Sequence, residues 1–274
     1  MRVFVAGGTG AIGVPLVRSL VGAQHEVTVL TRSPEKQRMI LQLGATPAVA
    51  DALDDMTLST VVGAAHPTHV IHELTALPSG GVRKGSQLAL TNRLRIEGTR
   101  NLLNAAIAAG ATRIVVGSFA PMQGFGHDAP ADVRDGVAAV ESMESQTLEA
   151  SRSGHVEGLV LRYGLFYGLG NPATETMLST VRRRMLPVIR GDRSLLPWIN
   201  IADAVSATIA ALDHGQPGGI YNVVDDRPAS MTEVLGALAT TPGRGHRGLC
   251  RYGWFGWGRP MWLECCRCAL NSQI

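Results

Sequence analysis

Three glycines within the first 13 residues have the spacing of a phosphate-binding turn. Gly7, Gly10 and Gly13 follow the apolar run Arg2–Ala6 and precede the amphipathic stretch Val14–Val21. In a strand–turn–helix unit the first glycine permits a tight turn, the second lets backbone N–H groups approach a pyrophosphate, and the third lets the helix pack on the sheet. The helix N-terminus adds unpaired N–H donors and the positive end of its dipole. The pattern predicts a dinucleotide site made of Gly7, Thr9, Gly10, Ala11, Ile12 and Gly13.

The end of the second predicted strand indicates which dinucleotide binds. An acidic residue about 20 positions beyond the glycines would bind the ribose 2′-hydroxyl of NAD. Here the strand Glu26–Thr31 is followed by Arg32. Arginine pairs with a 2′-phosphate through charge-assisted hydrogen bonds, so the sequence favours NADP and leaves NAD as the alternative. The competing interpretation of Arg32 is an ordinary solvated residue at a strand end.

The elements that position these residues alternate between short apolar runs and longer amphipathic stretches. This alternation predicts an α/β fold, a Rossmann-type doubly wound parallel sheet with helices on both faces. The predicted strands are Arg2–Ala6, Glu26–Thr31, Thr46–Ala50, His69–Leu74, Arg113–Ser118, Gly158–Tyr163 and Gly219–Val224. The predicted later helices are Gln87–Ala109, Thr174–Leu186, Ile201–Leu212 and Met231–Thr240. We predict a dinucleotide-binding domain over residues 1–163, a small, partly interleaved substrate-binding cap over 164–240, and an atypical tail over 241–274.

Composition and charge exclude several classes of protein. The chain has 274 residues, of which 45% are hydrophobic and 17% charged, which argues against disorder. It contains no apolar run of about 18 residues and no secretory leader at its start, so we expect a cytoplasmic protein without a membrane span. The formal net charge is +3, but the five arginines and one glutamate of residues 241–274 account for that excess. We therefore expect no nucleic-acid partner.

The tail also contains all four cysteines, and three interpretations of it stay open. The first, which we favour, is an aberrant or frameshifted segment, because it is rich in Gly, Arg, Cys and Trp without helical or strand periodicity. The second is a zinc site, with the spacing of His246, Cys250, Cys265 and Cys268. The third is a basic and aromatic nucleic-acid patch. Because the first is favoured, we expect no metal site.

An ordered set of motifs over residues 1–240 resembles the extended or atypical short-chain dehydrogenase/reductase family, in its NAD-dependent epimerase/dehydratase branch. The motifs are GGTGAIG, VADALDD, VIHELTA, EGTRNLLNAA, RIVVGS, LRYGLFYGLG and YNVVDD, in that order. The substrate domain of this family continues beyond residue 240 with ordinary helical sequence, whereas this chain does not.

The resemblance implies roles for several positions. Asp51, followed by Ala52, matches the carboxylate that binds the adenine amino group. Leu74 and Thr75 would line the cofactor. Ser118 matches the residue that hydrogen-bonds the substrate carbonyl. The remaining implied positions are the backbone of Tyr163 and Gly164 at the nicotinamide amide, and the segment Trp198–Asp203 leading into the substrate domain.

The chain departs from the family at the catalytic centre. The family uses Tyr-x-x-x-Lys on the helix after the fifth strand, where the lysine lowers the pKa of the tyrosine, because an isolated phenol is a poor base at neutral pH. This pair is absent from the sequence, and the resemblance places Glu141 at the tyrosine position and Ser145 at the lysine position. Glu141 would act as a base only if burial raised its pKa; otherwise Glu141, Glu144 and Glu149 belong to a solvated helix face.

Two functions follow as hypotheses. The first is an NADP-dependent oxidoreductase or epimerase-like enzyme acting on a small carbonyl or alcohol substrate, with Ser118 orienting the oxygen. Its proton donor stays open among Glu141, Tyr163, Tyr167 and a water relay. The second is a non-catalytic NADP-binding or redox-sensing protein. His72, His127 and His155 lack an evident partner, with His72 favoured slightly because it is predicted near the cofactor. A homodimer is compatible with the sequence.

Overall fold

A parallel sheet forms the centre of the molecule. In the computed structural model of the chain, the described residues are 1–78, 82, 84–120, 130–183 and 194–240. Seven strands within them form one parallel sheet: β1 (Arg2–Ala6), β2 (Glu26–Thr31), β3 (Thr46–Val49), β4 (His69–His72), β5 (Arg113–Phe119), β6 (Glu157–Tyr163) and β10 (Ile220–Val223). Their order is β10-β6-β5-β4-β1-β2-β3. The direction in which successive strands are added to the sheet reverses between β1 and β4. This is the predicted Rossmann-type fold, in which ligands bind outside the carboxyl ends of the strands.

Helices cover both faces of the sheet. They are α1 (Gly13–Gly22), α2 (Gln37–Gln42), α3 (Asp55–Ala65), α4 (Ala89–Arg93), α5 (Thr99–Ala108), α6 (Ala131–Arg152), α7 (Pro172–Arg182), α8 (Ile201–His214) and α9 (Met231–Thr240). Local sequence sets several of their starts. The Asp54 carboxylate accepts a hydrogen bond from the Thr57 N–H at the start of α3, and the Asn200 side chain accepts one from the Ala202 N–H at the start of α8. These residues satisfy N–H groups that have no partner within the helix.

Two apolar cores lie on opposite faces of the sheet. Residues of α1 and α8 pack on one face, around Leu16, Leu20 and Leu212. Residues of α3, α5 and α6 pack on the other, around Leu58 and Leu102. The strands alternate their side chains between these cores, so neighbouring residues of one strand face different helices. This separation decides which side chains can meet at the carboxyl ends.

The long helix predicted over Gln87–Ala109 is not one continuous α-helix. A 3₁₀ turn, Gly85–Leu88, leads into α4, and a π-helical turn, Leu94–Gly98, separates α4 from α5. Apolar periodicity could not reveal the π turn, because a single wide turn shifts the pattern by only one residue. Such turns in other proteins are frequent at functional sites.

Most other predicted boundaries agree with the structure within a few residues. β4 ends at His72 rather than Leu74, because the chain turns away from the sheet once the Glu73 N–H has bonded the Ala6 carbonyl at 2.7 Å. α7 begins at Pro172, capped by Asn171, and its described part ends at Arg182. The predicted tail over 241–274 lies outside the described residues.

The segment after Tyr163 is interleaved with the sheet. It supplies β10, which pairs with β6 at the sheet edge. It also forms two small sheets, the parallel pair β7 (Leu165–Tyr167) with β9 (Trp198–Asn200) and the antiparallel pair β8 (Leu195–Leu196) with β11 (Ala229–Ser230). These pairs extend beyond the carboxyl end of β6, on the side where a substrate would lie.

Candidate active site

The glycine turn is built for close backbone approach. Gly7 has φ +96°, and a Cβ there would overlap the carbonyl oxygen of Glu73. A Cβ at Gly13 would overlap the carbonyl oxygen of Gly7. The Gly10 N–H donates to the Gly7 carbonyl at 2.9 Å, which closes the turn, and α1 starts at Gly13. The residues present therefore fit a pyrophosphate cradle at a helix N-terminus.

Two cations lie beside this turn. Arg32 is exposed directly after β2, where the sequence predicted it. Lys36, which the sequence analysis did not single out, places its Nζ 3.3 Å from the Thr9 hydroxyl of the glycine turn. Its position four residues beyond Arg32 in a short 3₁₀ turn was the available signal. Position 32, where an acidic residue would bind a ribose 2′-hydroxyl, is occupied by arginine.

The predicted adenine end lies after β3. Asp51 is exposed, and one of its carboxylate oxygens accepts the Leu53 N–H at 2.9 Å. Ala52 is buried, and its carbonyl accepts a hydrogen bond from the Asn101 side chain at 3.0 Å. The Asp51 carboxylate is therefore oriented by a local turn.

His72, at the end of β4, is a structural residue in this arrangement. The Leu74 N–H donates to its Nδ1 at 3.2 Å, so Nε2 carries the proton and donates to the Thr99 hydroxyl at 2.8 Å. Burial, and secondarily the charge of Arg95, lowers the pKa of His72 to about 4. The ring is neutral at physiological pH and both nitrogens are occupied. Leu74 is partly buried beside it and Thr75 is exposed.

Glu73 is the functional candidate that sequence reasoning missed. One oxygen of its carboxyl group, Oε1, lies 3.0 Å from the Tyr163 hydroxyl, which lies 2.7 Å from the Thr208 hydroxyl. Loss of solvation raises the pKa of Glu73 to about 8, more than the Tyr163 hydrogen bond lowers it. Gly117 lies directly against it, because a Cβ there would overlap the carboxyl group.

Counting protons across this cluster supports a neutral Glu73. The Thr208 hydroxyl donates to the Ala204 carbonyl at 2.7 Å, so Thr208 can only accept from Tyr163. Tyr163 has one proton, and if it goes to Thr208, a protonated Glu73 completes the chain by donating to the Tyr163 oxygen. Burial and the Glu73 carboxyl raise the pKa of Tyr163 well above its ordinary value. The side chain of Tyr163 thus holds Glu73, while its neighbour Gly164 bonds the Val223 carbonyl through its N–H.

Ser118 forms a hydrogen bond to the ion pair between Glu144 and Arg162. Its hydroxyl donates to Glu144 Oε1 at 2.5 Å. Arg162 contacts both oxygens of Glu144, at 2.9 Å through Nε and 2.6 Å through a terminal nitrogen. The interpretation of Glu144 as part of a solvated helix face is wrong, because the residue is only 6% exposed and bonds two neighbouring strands. Ser118 and Arg162 face each other in the register of β5 and β6, so the hydroxyl proton of Ser118 is already directed at Glu144.

The other candidate proton donors are placed differently. Glu141 is exposed on α6, and Glu149 is exposed and paired with Arg152 at 2.7 Å. The Tyr167 hydroxyl donates to Asp225 at 2.8 Å, and burial with this bond raises the pKa of Tyr167 to about 12. A phenol of that pKa is a weak acid at neutral pH.

The remaining predictions concern histidines, metals and membranes. His155 is exposed, and His127 lies outside the described residues. Within the ranges that the structure describes, no three His, Cys, Asp or Glu side chains are grouped as metal ligands. Among the helices of those same ranges, none has the length and apolarity needed to cross a membrane.

Comparison with known proteins defines the class. The model of the NAD dependent epimerase/dehydratase family matches residues 3–224. The chain belongs to this family.

Individual relatives include enzymes of several activities. A 3-diazoavenalumate denitrifying reductase from a Streptomyces species is 38% identical over 258 residues, which cover 89% of this chain and 82% of that protein. A 4-hydroxy-2-methyl-3-oxo-4-farnesyl-3,4-dihydroquinoline-1-oxide ketoreductase from Stigmatella aurantiaca is 24% identical, covering 89% and 74%. The structure of UDP-glucose 4-epimerase from Thermus thermophilus in complex with NAD superposes with a TM-score of 0.70 at 25% identity, covering 87% and 82% of the two chains.

Proposed function

We propose that the protein is an NADPH-dependent reductase of a small-molecule substrate. The observation that carries the proposal is the pair of cations at the glycine turn, Arg32 after β2 and Lys36 bonded to Thr9. The positive charges of Arg32 and Lys36, with arginine rather than an acidic residue at position 32, suit a 2′-phosphate better than a 2′-hydroxyl. The 38% identical reductase supports the direction of the reaction.

The cofactor would lie along the carboxyl ends of the strands. The glycine turn and the start of α1 would hold the pyrophosphate, Arg32 and Lys36 the 2′-phosphate, and Asp51 the adenine amino group. By the family resemblance, the nicotinamide half would lie near Leu74, Thr75, Tyr163 and Gly164.

The acceptor we favour is a carbon that bears a diazo group in its cationic, diazonium form. When bound, NADPH supplies a hydride with its electron pair; on a diazonium carbon N₂ leaves with the C–N electron pair and no proton is consumed, whereas a carbonyl oxygen must also take up a proton. A substrate that consumes no proton needs no Tyr-x-x-x-Lys pair, and this chain has none. The relative whose name describes a diazo substrate and a denitrifying reduction supports the same class.

Carbonyl reduction is the second candidate, and Glu73 favours it. A carboxyl group with a pKa of about 8 holds its proton at neutral pH and can donate it. The ketoreductase relative is consistent with this chemistry. In that reaction Glu73 takes the part that the missing tyrosine plays in the family.

One experiment separates these possibilities. NADPH and NADH binding is measured by calorimetry, and NADPH oxidation is then followed with benzenediazonium and with benzaldehyde, for the wild type and Glu73→Gln. Reactions without protein correct for spontaneous reduction of the diazonium salt. Diazonium turnover that survives Glu73→Gln supports the favoured function, while aldehyde turnover that Glu73→Gln abolishes supports the second. Tight NADPH binding without turnover on either would indicate the non-catalytic, redox-sensing protein, and no NADPH binding would overturn the proposal.

A further inference from the structure

One buried arginine has no counter-ion among the residues that the structure describes. Arg95 is only 7% exposed, and its Nη1 has no hydrogen-bond partner in the described part of the chain. Neither a hydrogen bond nor an ion pair to Arg95 is found among those residues, and burial lowers the pKa of its guanidinium. Burying an unpaired cation is costly, and proteins retain such groups where a ligand or a conformational requirement compensates.

The position of Arg95 follows from the contact beneath it. Thr99 bonds His72, the last residue of β4, so the start of α5 is level with the carboxyl end of that strand. The helical segment returns toward the amino end of β5, so earlier residues lie farther out on the carboxyl side. Arg95 precedes Thr99 by four residues, which places it about one helical turn, roughly 5–6 Å, beyond the strand end on the same helix face. It belongs to the π-helical turn Leu94–Gly98.

The π turn that carries Arg95 is bonded to the neighbouring helix α6. The Gln146 side chain on α6 donates to the Ile96 carbonyl at 3.1 Å, so the π turn is fastened to the part of α6 next to Ser145. The resemblance places Ser145 where the family has its lysine. At the position of the family lysine α6 therefore carries an uncharged serine, and a cation, Arg95, lies on the adjacent π turn.

Three carboxylates on the described elements around Arg95 already have other partners. Glu144 on α6 is occupied by Arg162 and Ser118. Glu73 projects to the opposite face of the sheet, toward Tyr163 and Thr208. Glu97, in the same π turn, pairs with the exposed Arg93 at 2.9 Å.

We propose that Arg95 is the anion receptor of the substrate site and pairs with a carboxylate of the substrate. One carboxylate neutralises one guanidinium and matches its planar fork, whereas a phosphate would bring a second negative charge. The inference rests on the proposed function only for the statement that the ligand is the substrate, because the site itself is separate from the cofactor phosphates at the glycine turn.

The test compares benzoate with benzamide, which differ in charge but hardly in shape. Calorimetry on the full chain, with and without saturating NADP⁺, measures both ligands on the wild type, Arg95→Lys, Arg95→Met and Arg100→Met. We expect benzoate to bind the wild type about tenfold more tightly than benzamide, the scale of one charge-assisted hydrogen bond. The preference should disappear in Arg95→Met, persist in part in Arg95→Lys, and be unchanged in Arg100→Met, which alters an exposed arginine of α5 and leaves the Arg93–Glu97 pair in place.

Thermal unfolding without ligand separates a binding role from a structural one. Because Arg95 has no partner in the described residues, Arg95→Met should unfold at the wild-type temperature or above it, and benzoate should raise the Tm of the wild type but not that of Arg95→Met. Equal binding of benzoate and benzamide, or a lowered Tm in Arg95→Met, would overturn the assignment, as would inorganic phosphate binding more tightly than benzoate. If the wild type does not bind NADPH, the proposed function is contradicted. The benzoate measurement without cofactor still tests the role of Arg95 in that case.

Discussion

The Tyr163 hydroxyl lies 3.0 Å from the carboxyl oxygen Oε1 of Glu73, although β5 separates β6, which ends at Tyr163, from β4, which ends one residue before Glu73. The bond crosses above Gly117, the residue of β5 whose missing side chain leaves room for it. It joins the end of β4, which supports the glycine turn, to the end of β6, which leads into the cap. The proposed cofactor half and the proposed substrate half of the cleft would therefore share one hydrogen-bonded cluster.

The raised pKa of Glu73 predicts how stability depends on pH. The unfolded carboxyl group ionises near its ordinary pKa, while the folded one holds its proton until about pH 8. Between these two pKa values the folded state binds more protons than the unfolded state. The free energy of unfolding therefore falls by an amount on the order of a few kcal/mol as the pH rises, and it levels off above about pH 8. Urea unfolding at about pH 6 and pH 9 measures much of this fall, and Glu73→Gln, which cannot ionise but keeps a hydrogen-bonding group at Tyr163, should largely remove it. An equal fall in both proteins would show that Glu73 is not its source.

The ion pair between Glu144 and Arg162 predicts a large effect of one substitution on α6. Glu144→Ala removes the carboxylate that contacts the partly buried Arg162 and accepts from Ser118, so we expect a loss of about 3–5 kcal/mol in the free energy of unfolding. Ser118→Ala removes one hydrogen bond to the same carboxylate and should cost about 1–3 kcal/mol. Glu141→Ala is the control, because this exposed glutamate on the same helix should change stability by less than about 0.5 kcal/mol. Chemical denaturation of the three variants tests the order, and comparable losses at residues 141 and 144 would contradict it.

The close contact of Gly13 with the glycine turn predicts opposite effects of two glycine substitutions in α1. Gly13→Ala would place a methyl group on the Gly7 carbonyl, so we expect about 1–3 kcal/mol of destabilisation together with weaker NADPH binding. Gly22→Ala adds its methyl group in open space at the end of the helix and should be neutral or stabilising by about 0.5–1 kcal/mol. Thermal unfolding and calorimetry on both variants check the contrast.

The two cations at the glycine turn predict cofactor preference. Lys36→Met and Arg32→Met should each weaken NADPH binding by about tenfold, and binding of NADH should change little, because only NADPH carries the 2′-phosphate. Arg38→Met is the control, since Arg38 is an exposed arginine of α2 with no described contact to the turn. Calorimetry with both cofactors is the measurement. Equal losses for NADH and NADPH would place these side chains at a different part of the cofactor.

Much of the fold was predictable from local patterns. The strands are short apolar runs buried on both faces, and the glycine spacing marks a strand end that lies in close contact with other backbone. The π turn was not predictable, since it changes the helical period by a single residue within an apolar stretch.

The site was predictable in part, for the same physical reasons. Positions fixed by the backbone, such as Gly7 and Gly13, follow from residue type alone. Glu73 and Arg95 do not, because their importance depends on what surrounds them: Tyr163 is 90 residues away from Glu73 in sequence, and Arg95 stands out because no partner for it is found among the described residues. The functional environment of a charged residue is a property of tertiary packing, which periodicity does not encode.

Gly117 also constrains the order in which this site can change during evolution. A side chain at position 117 would occupy the space of the Glu73 carboxyl group, and a short residue at position 73 would leave the Tyr163 hydroxyl with Thr208 alone. The effects of substitutions at the two positions should therefore not be additive: a larger residue at 117 is tolerated only after residue 73 has become smaller. Homologues should then fall into two groups, one with glycine at 117 and a carboxylate at 73, and one in which both positions differ together.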